Sequence, residues 1–342
     1  MLKDRHIGID LGTVNVYIFV RGKGIVLKEP SVVAINKETN KVLAIGEEAR
    51  RMVGKTPGNI ITKRPMRDGV IADYYTTEKM LEYFIRKVWG RRRFSKPRVI
   101  VGIPSGGTEV EKRAVIEASL QAGAKEAFLV EEPMAAALGA GIDVGEPNGN
   151  MVVDIGGGTT DIAIISLGGI VVNNSIRVAG NKFDEDIIRY IKNKYSLIIG
   201  ETTAERIKIE IGMALPPETE EENKVTEVRG RDLVSGLPKG ITISSKEVYE
   251  ALKDSLKEII EGVKRVLESS PPELSSDIAD RGIVLTGGGA LLRKIDRLIA
   301  DATETPVTVA ENPLSCVAIG TGKVLDYIQV LRQGRGLITL SR

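Results

Sequence analysis

Short apolar runs and polar turns alternate from the start of the chain. Ile7-Gly8-Ile9 closes on Asp10, and Tyr17–Arg21 and Gly24–Leu27 follow around a Gly22-Lys23-Gly24 turn, the pattern of a strand meander. Ser31–Asn36 and Val42–Ile45 predict a further strand pair, with a short helix after it over Glu47–Val53. The helical period takes over at Thr76–Trp89, where Met80, Leu81, Phe84, Ile85 and Val88 share a face. Arg98–Ile103 reads as a buried strand stopped by Pro104, and Thr108 with Glu111 as a capping box opening a helix to about Gln121. Ala127–Val130 is another strand, and Glu131-Glu132-Pro133 leads into a small-residue helix over Met134–Gly141.

The stretch Ile142–Asn150, with Gly145, Pro147 and Gly149, has hinge composition, and beyond it the pattern begins again. Strands at Met151–Asp154, Ile162–Ser166 and Gly169–Ile176 precede helices at Phe183–Lys194 and Thr203–Ile211. After a solvated acidic loop at Pro216–Asn223, strands near Val225–Arg229 and Ile241–Ser244 flank a Gly-Leu-Pro turn. Ser244 with Glu247 then caps a long helix whose Val248, Leu252, Leu256, Ile259, Ile260, Val263 and Leu267 align. The last third alternates strand and helix and ends in a small-residue helix from about Ser315 to Val330. Repetition on this scale predicts an α/β fold of two duplicated lobes, each a mixed β-sheet with helices, around a cleft that holds ligand at the strand ends.

The chemistry lies at those strand ends. Asp10-Leu11-Gly12-Thr13 returns as Asp154-Ile155-Gly156-Gly157-Gly158-Thr159, in each case an apolar strand ending in a carboxylate, then a turn whose backbone N–H groups can face an anion. A third cluster, Gly287-Gly288-Gly289, follows the strand-like Gly282–Leu285. Any one cluster could simply be a turn; three, two of them with Asp at the same offset, favour a two-sided grip on a polyphosphate. Better-known phosphate motifs fail. A P-loop ending in Gly54-Lys55-Thr56 would need glycine where Ala49 stands, and a dinucleotide fingerprint from Gly156 would need glycine in place of Asp161.

Composition narrows the field. With 342 residues, 42% hydrophobic and 27% charged, the chain is an ordinary globular one with room for two cores. Its 48 basic and 46 acidic residues leave a charge of only +2, which gives no reason to expect nucleic acid. A single cysteine, Cys316, in apolar surroundings, excludes a disulfide framework and reads as packing in a reducing cytoplasm. The one histidine, His6, precedes the first strand, which argues against histidine catalysis and multi-histidine metal sites. The polar Met1–His6 stretch leaves no room for a signal peptide, and no apolar run is long enough to span a bilayer, so a soluble or peripheral protein is expected.

At this point the residues resemble a family. The two Asp-Gly turns, Glu131-Glu132-Pro133 and Leu285-Thr286-Gly287-Gly288-Gly289 are similar to the phosphate and adenosine motifs shared by actin, sugar kinases and chaperone ATPases. Lys63–Asp73 and Thr203–Lys208 resemble the bacterial actins of the MreB family, over essentially the whole chain. Thr160-Asp161, Asn181–Asp184 and Phe94–Pro97 lean toward its Mbl branch. The resemblance implies an actin-like ATPase fold divided into 1–32, 66–145 and 324–342 (lobe I, large), 33–65 (lobe I, small), 146–181 and 246–323 (lobe II, large) and 182–245 (lobe II, small).

ATP and Mg²⁺ are the implied ligands. Asp10 and Asp154 would hold the ion through its waters, as suits a cation that dehydrates reluctantly; capping of their own turns is the simpler alternative. Gly12, Thr13, Val14 and Asn15 would meet the phosphates from one side and Gly156, Gly157, Gly158 and Thr159 from the other. Actin has a lysine where this chain has Asn15, so metal and backbone dipoles carry more of the neutralisation here. By resemblance Glu132 orients the attacking water with help from Thr159 and Asp154, although Glu131 competes for the role and a carboxylate at a helix start is favoured in any case. Glu205 and Lys208 resemble ribose and adenine contacts; Thr202 to Glu205 also reads as a capping box. Gly180, Gly287, Gly288 and Gly289 would approach the nucleoside by backbone.

Trp89, Arg91, Arg92, Arg93 and Phe94, flanked by Lys87, Lys96 and Arg98, suit an anionic membrane face as well as a solvated loop. MreB-like proteins insert a loop at this position, so the resemblance implies peripheral binding to the inner face of the cell membrane, strengthened by the many copies in a filament. It also implies self-association into head-to-tail filaments, single or paired, and partners among shape-determining and wall-synthesis membrane proteins. A sugar kinase would need an acceptor pocket that no polar constellation supplies. A chaperone switch would need a substrate domain beyond the nucleotide core; a plasmid-partitioning filament shares every nucleotide motif, and the basic-aromatic loop argues mildly against it.

Overall fold

The structure is a computed structural model and describes residues 6–90 and 96–325. Lobe I opens with β1 (His6–Leu11), β2 (Asn15–Val20) and β3 (Gly24–Pro30), followed by a small sheet of β4 (Val33–Asn36), β5 (Val42–Ile45) and β6 (Ile60–Lys63), with α1 (Glu47–Arg50) between the last two. A hairpin of β7 (Met66–Arg67) and β8 (Val70–Ile71) leads to α2 (Tyr74–Trp89), β9 (Arg98–Ile103), α3 (Glu109–Gln121), β10 (Glu126–Glu131) and α4 (Glu132–Gly139). The main sheet runs β10-β9-β1-β2-β3, with β1 antiparallel to β2 and parallel to β9. Ile7, Ile9 and Leu11 are buried along β1, as a central strand covered on both faces requires.

Lobe II repeats the plan. Its meander is β11 (Asn150–Ile155), β12 (Thr160–Ser166) and β13 (Gly169–Ile176); α5 (Gly180–Tyr195), β14 (Leu197–Ile198), α6 (Glu201–Ile211), β15 (Val225–Asp232) and β16 (Pro238–Ser244) build its smaller part. Then come α7 (Ser245–Glu268), α8 (Pro272–Arg281), β17 (Ile283–Thr286), a single turn at Gly288–Leu291, α9 (Ile295–Thr303), β18 (Val307–Val309) and α10 (Cys316–Val324). The sheet order β13-β12-β11-β17-β18, with β11 antiparallel to β12 and parallel to β17, matches lobe I strand for strand. Asp10 and Asp154 occupy the same penultimate position of equivalent central strands.

Each lobe has its own core, and a third core joins them. Ile100, Phe128 and Val130 of lobe I meet Val152, Ala163 and Ile165 of lobe II around α4 and α10. These helices approach backbone to backbone: a Cβ on Gly139 would collide with the Cys316 carbonyl, and one on Gly320 with that of Ala135. Cys316 is buried in this contact, and burial pushes its thiol up to about 11, so packing is its role.

The capping boxes at Thr108 and Ser244 form as expected. Several boundaries differ. Helix α4 begins at Glu132, where Pro133 is pre-set for a first turn, and α5 begins at Gly180. His6 lies buried within β1 rather than before it. The Thr202 box is absent: α6 starts at Glu201 with Gly200 at its N-cap, which puts Glu205 inside the helix. The extension of the closing helix toward Val330 lies outside the described residues. Among the described residues no helix is long and apolar enough to cross a membrane.

Candidate functional site at the cleft

Where the central strands end, the two lobes meet turn to turn. Ser31 Oγ donates to the Gly12 carbonyl at 2.5 Å, and a Cβ on Gly12 would stand 2.6 Å from the Asn15 carbonyl, so the first turn is too tight for a side chain. Thr13 is buried and its Oγ1 accepts the Gly69 N–H at 3.1 Å. In the second turn the Gly156 N–H donates to the Thr159 carbonyl at 2.9 Å, while the carbonyls of Gly156 and Gly157 accept from Gly180 at 3.1 Å and Asn181 at 2.8 Å, fixing the start of α5 on the turn. A Cβ on Gly157 would strike Val14, and one on Gly158 would lie 3.0 Å from the Asp68 Cα. Gly157 and Gly158 are therefore demanded by the opposite lobe, whereas Gly156 is confined by the Thr159 carbonyl of its own turn, 3.1 Å from where a Cβ would stand. Gly287, at φ +78°, and Gly289 press on Ile155 in the same way from the third cluster.

Every nucleotide-site residue singled out from the sequence lines one cavity of about 510 Å³, within the usual range for small-ligand sites. The carboxylates at its floor are out of their ordinary range. Burial, then the neighbouring Asp154, pushes Asp10 up to about 8. Burial raises Asp154 to about 7, against the Thr286 hydroxyl that donates to it at 2.8 Å. Glu132 is raised well above its usual value by burial and by Asp161, Asp10 and Asp154. Glu131 does not line this cavity and is raised less simply: burial lifts it, while Ser105 and Lys112 oppose. Of the two neighbouring glutamates, Glu132 alone lines the cavity.

Sequence reasoning did not place Asp161 in the site. It is fully buried, stands opposite Asp154 on β12, and accepts the Ser105 N–H of lobe I at 3.1 Å. The available signal was one acid in a strand buried along its whole length. On the nucleoside side Lys208 Nζ donates to the Gly180 carbonyl at 2.8 Å and pairs with Asp184 at 2.9 Å. Asp184, also not singled out, is raised to about 6 by burial despite that lysine. Glu205 pairs with Arg50 at 2.9 Å and Glu201 with Arg64 at 3.2 Å, both across the cleft.

Among the described residues no three His, Cys, Asp or Glu side chains form a metal cage. Two facing carboxylates with raised pKa and no cage are the donor set expected of a hydrated Mg²⁺ carried in with phosphates. Of the membrane-facing set, Trp89 is half-buried against the lobe I core, and Arg91, Arg92, Arg93 and Phe94 lie outside the described residues. Nearby, Lys87 pairs with Glu29 at 2.5 Å and Arg98 with Glu126 at 3.1 Å, which reduces the free positive charge of the patch.

Two lobes of identical sheet topology, joined at the base and facing each other with glycine turns, define an actin-like fold. Among solved structures the chain resembles MreB5 of Spiroplasma citri bound to AMPPNP, with a TM-score of 0.91 and 41% identity over 98% of this chain and 99% of that one. The double helical filament of MamK shares the fold, with a TM-score of 0.80 at 22% identity over 94% of this chain and 98% of that one. The MreB/Mbl protein family model matches residues 4–333. Relatives include the cell shape-determining protein Mbl of Bacillus subtilis (strain 168), 58% identical over 96% of this chain and 97% of the relative. The cell shape-determining protein MreB of Escherichia coli (strain K12) is 54% identical over 95% of this chain and 94% of the relative. The chain belongs to the MreB/Mbl family.

Proposed function

We propose that this protein binds ATP in the interlobe cleft, hydrolyses it slowly, and forms membrane-associated filaments that organise wall growth and maintain rod shape. The observation that carries the reading is the contact of the two Asp-Gly turns, Gly12–Asn15 and Gly156–Thr159, from opposite lobes. A polyphosphate between them would bridge both lobes, so its chemical state can bias the angle between them. The family relatives named for cell shape and the MreB5 structures bound to AMPPNP and ADP support the same reading.

The roles follow from position. Backbone N–H groups of both turns would face the phosphates and Asn15 would offer a neutral contact, so neutralisation would fall to backbone dipoles and the metal. Asp10 and Asp154 would hold the waters of Mg²⁺, which when bound supplies charge neutralisation of the phosphates. Glu132, fixed at the first turn of α4 and shielded from solvent, accepts from the attacking water and aligns it with Thr159. Positioning without a strong additional cation gives a slow hydrolase. The surroundings of Trp89 and the basic run after it provide the membrane contact, multiplied along a single or paired head-to-tail filament. The location is then cytoplasmic and peripheral on the inner membrane face, beside shape-determining and wall-synthesis membrane proteins.

The test is purified protein with anionic vesicles, ATP and magnesium, followed by sedimentation and electron microscopy. Filaments lying on vesicles are expected. Protein that turns over ATP yet stays monomeric would point to a soluble phosphotransferase or switch instead.

A further inference from the structure

The apolar contact between the lobes sits at the base of the cleft, around α4 and α10. At the mouth the connections are ionic. Arg50, at the end of α1, meets Glu205 at 2.9 Å, and Arg64, just beyond β6, meets Glu201 at 3.2 Å. Both arginines come from the small sheet region of lobe I and both glutamates from α6 of lobe II, four residues apart and so on one helix face. All four side chains line the nucleotide cavity. Among the described residues no apolar core contains side chains from both α1 and α6.

We propose that Arg50–Glu205 and Arg64–Glu201 form a clasp that gates nucleotide exchange, retaining ligand while paired and releasing it when both pairs part. The inference rests on the nucleotide-cleft reading above. The geometry separates the two duties such a cleft must perform. The buried base keeps the lobes together permanently, whereas the mouth is joined by contacts weak enough to open. The side chains of Arg50 and Glu205 are 41% and 24% exposed, and those of Arg64 and Glu201 are 34% and 62%, so water screens both pairs and each is worth little alone. Breaking one should speed opening roughly two- to five-fold, and breaking both on the order of ten-fold. Because exposed pairs are screened, release should also quicken as salt rises. Arg50 has a second consequence: it holds the Glu205 carboxylate, a nucleoside-side group, at the cavity wall. The Arg64–Glu201 pair holds no residue singled out as a nucleoside contact and gives the cleaner test.

The experiment follows release of etheno-ATP, labelled on the base, after a chase with excess ATP, using the full chain below its polymerisation threshold. Arg64→Glu and Glu201→Arg should each speed release about five-fold, and the double exchange R64E/E201R should return it to within two-fold of the parent. The milder pair Arg64→Gln and Arg50→Gln, checked by thermal melting, keeps the question answerable if a reversal fails to fold. Salt should accelerate release from the parent more than from the single reversals. Binding with release unchanged in every variant overturns the clasp alone, as does a double exchange as fast as the singles. No binding by the parent overturns the nucleotide reading and the clasp with it.

Discussion

Asp154 and Asp161 stand directly opposite each other on the antiparallel strands β11 and β12, both buried, and the charge of Asp161 adds to the burial that already raises Asp154. Asp10, Asp154 and Glu132 line the floor of the cleft, and Asp161, buried behind them, adds its charge to Glu132 as well. Such a cluster resists ionisation until a cation arrives.

That resistance has a definite sign. Asp10 is raised from about 3.8 to about 8 and Asp154 to about 7, so above pH 4 the folded protein binds more protons at these sites than the unfolded chain does. Their contribution to stability is therefore fully present below about pH 4 and is lost as pH rises toward 8. Asp154→Asn removes one such group and relieves the other. In melting experiments without nucleotide or magnesium, the melting temperature of the variant relative to the parent should increase steadily between pH 5 and pH 8. A difference independent of pH would contradict the assignment.

Contact between the turns gives a prediction in steric terms. Gly157→Ala would drive a methyl into Val14 and push the lobes apart, with an overpacking cost of ~1–3 kcal/mol. ATP affinity by calorimetry should fall on the order of ten-fold or more. Val14→Ala in the same chain opens space at the collision and should recover part of the loss. Equal affinities for Gly157→Ala and the parent would mean that the turns do not close on the ligand together.

Much of this was legible in the sequence, for a physical reason. Asp10 and Asp154 end apolar runs, and a run buried on both faces followed by glycine has few structural meanings besides a central strand and a tight turn. Both long-helix capping boxes were readable because their signals lie within four residues. Asp161, Asp184, Arg50 and Arg64 were not, because each acquires its role from a partner far away in sequence: Ser105, Lys208, Glu205 and Glu201. The Thr202 box was a local signal that lost to its neighbours. Gly200 and the first-turn acid Glu201 start the helix earlier, and Glu205 is drawn to Arg50 instead.

A second stability prediction concerns the capping box of α7. Burial alone would raise Glu247, but hydrogen bonds from the Tyr195 hydroxyl, the Lys194 ammonium and Ser244 outweigh it and bring the carboxyl to about 2. A depressed folded value means stability present above about pH 4.5 and lost as pH falls toward 2. Glu247→Gln removes the charge that Lys194 and the Tyr195 hydroxyl meet and should cost ~1 kcal/mol at neutral pH, the difference between charged and neutral hydrogen bonds. Urea titrations should show the gap between variant and parent shrinking below about pH 4.5 and closing toward pH 2; a gap unchanged over that range would place the effect elsewhere.

The central claim is that the cleft binds ATP and that Glu132 aligns the water that cleaves it. The most direct measurement is single-turnover hydrolysis beside equilibrium ATP binding for the parent and Glu132→Ala. We predict affinity within a few-fold of the parent and hydrolysis reduced at least a hundred-fold, in keeping with loss of a general base. Equal phosphate release by the two proteins would contradict the account.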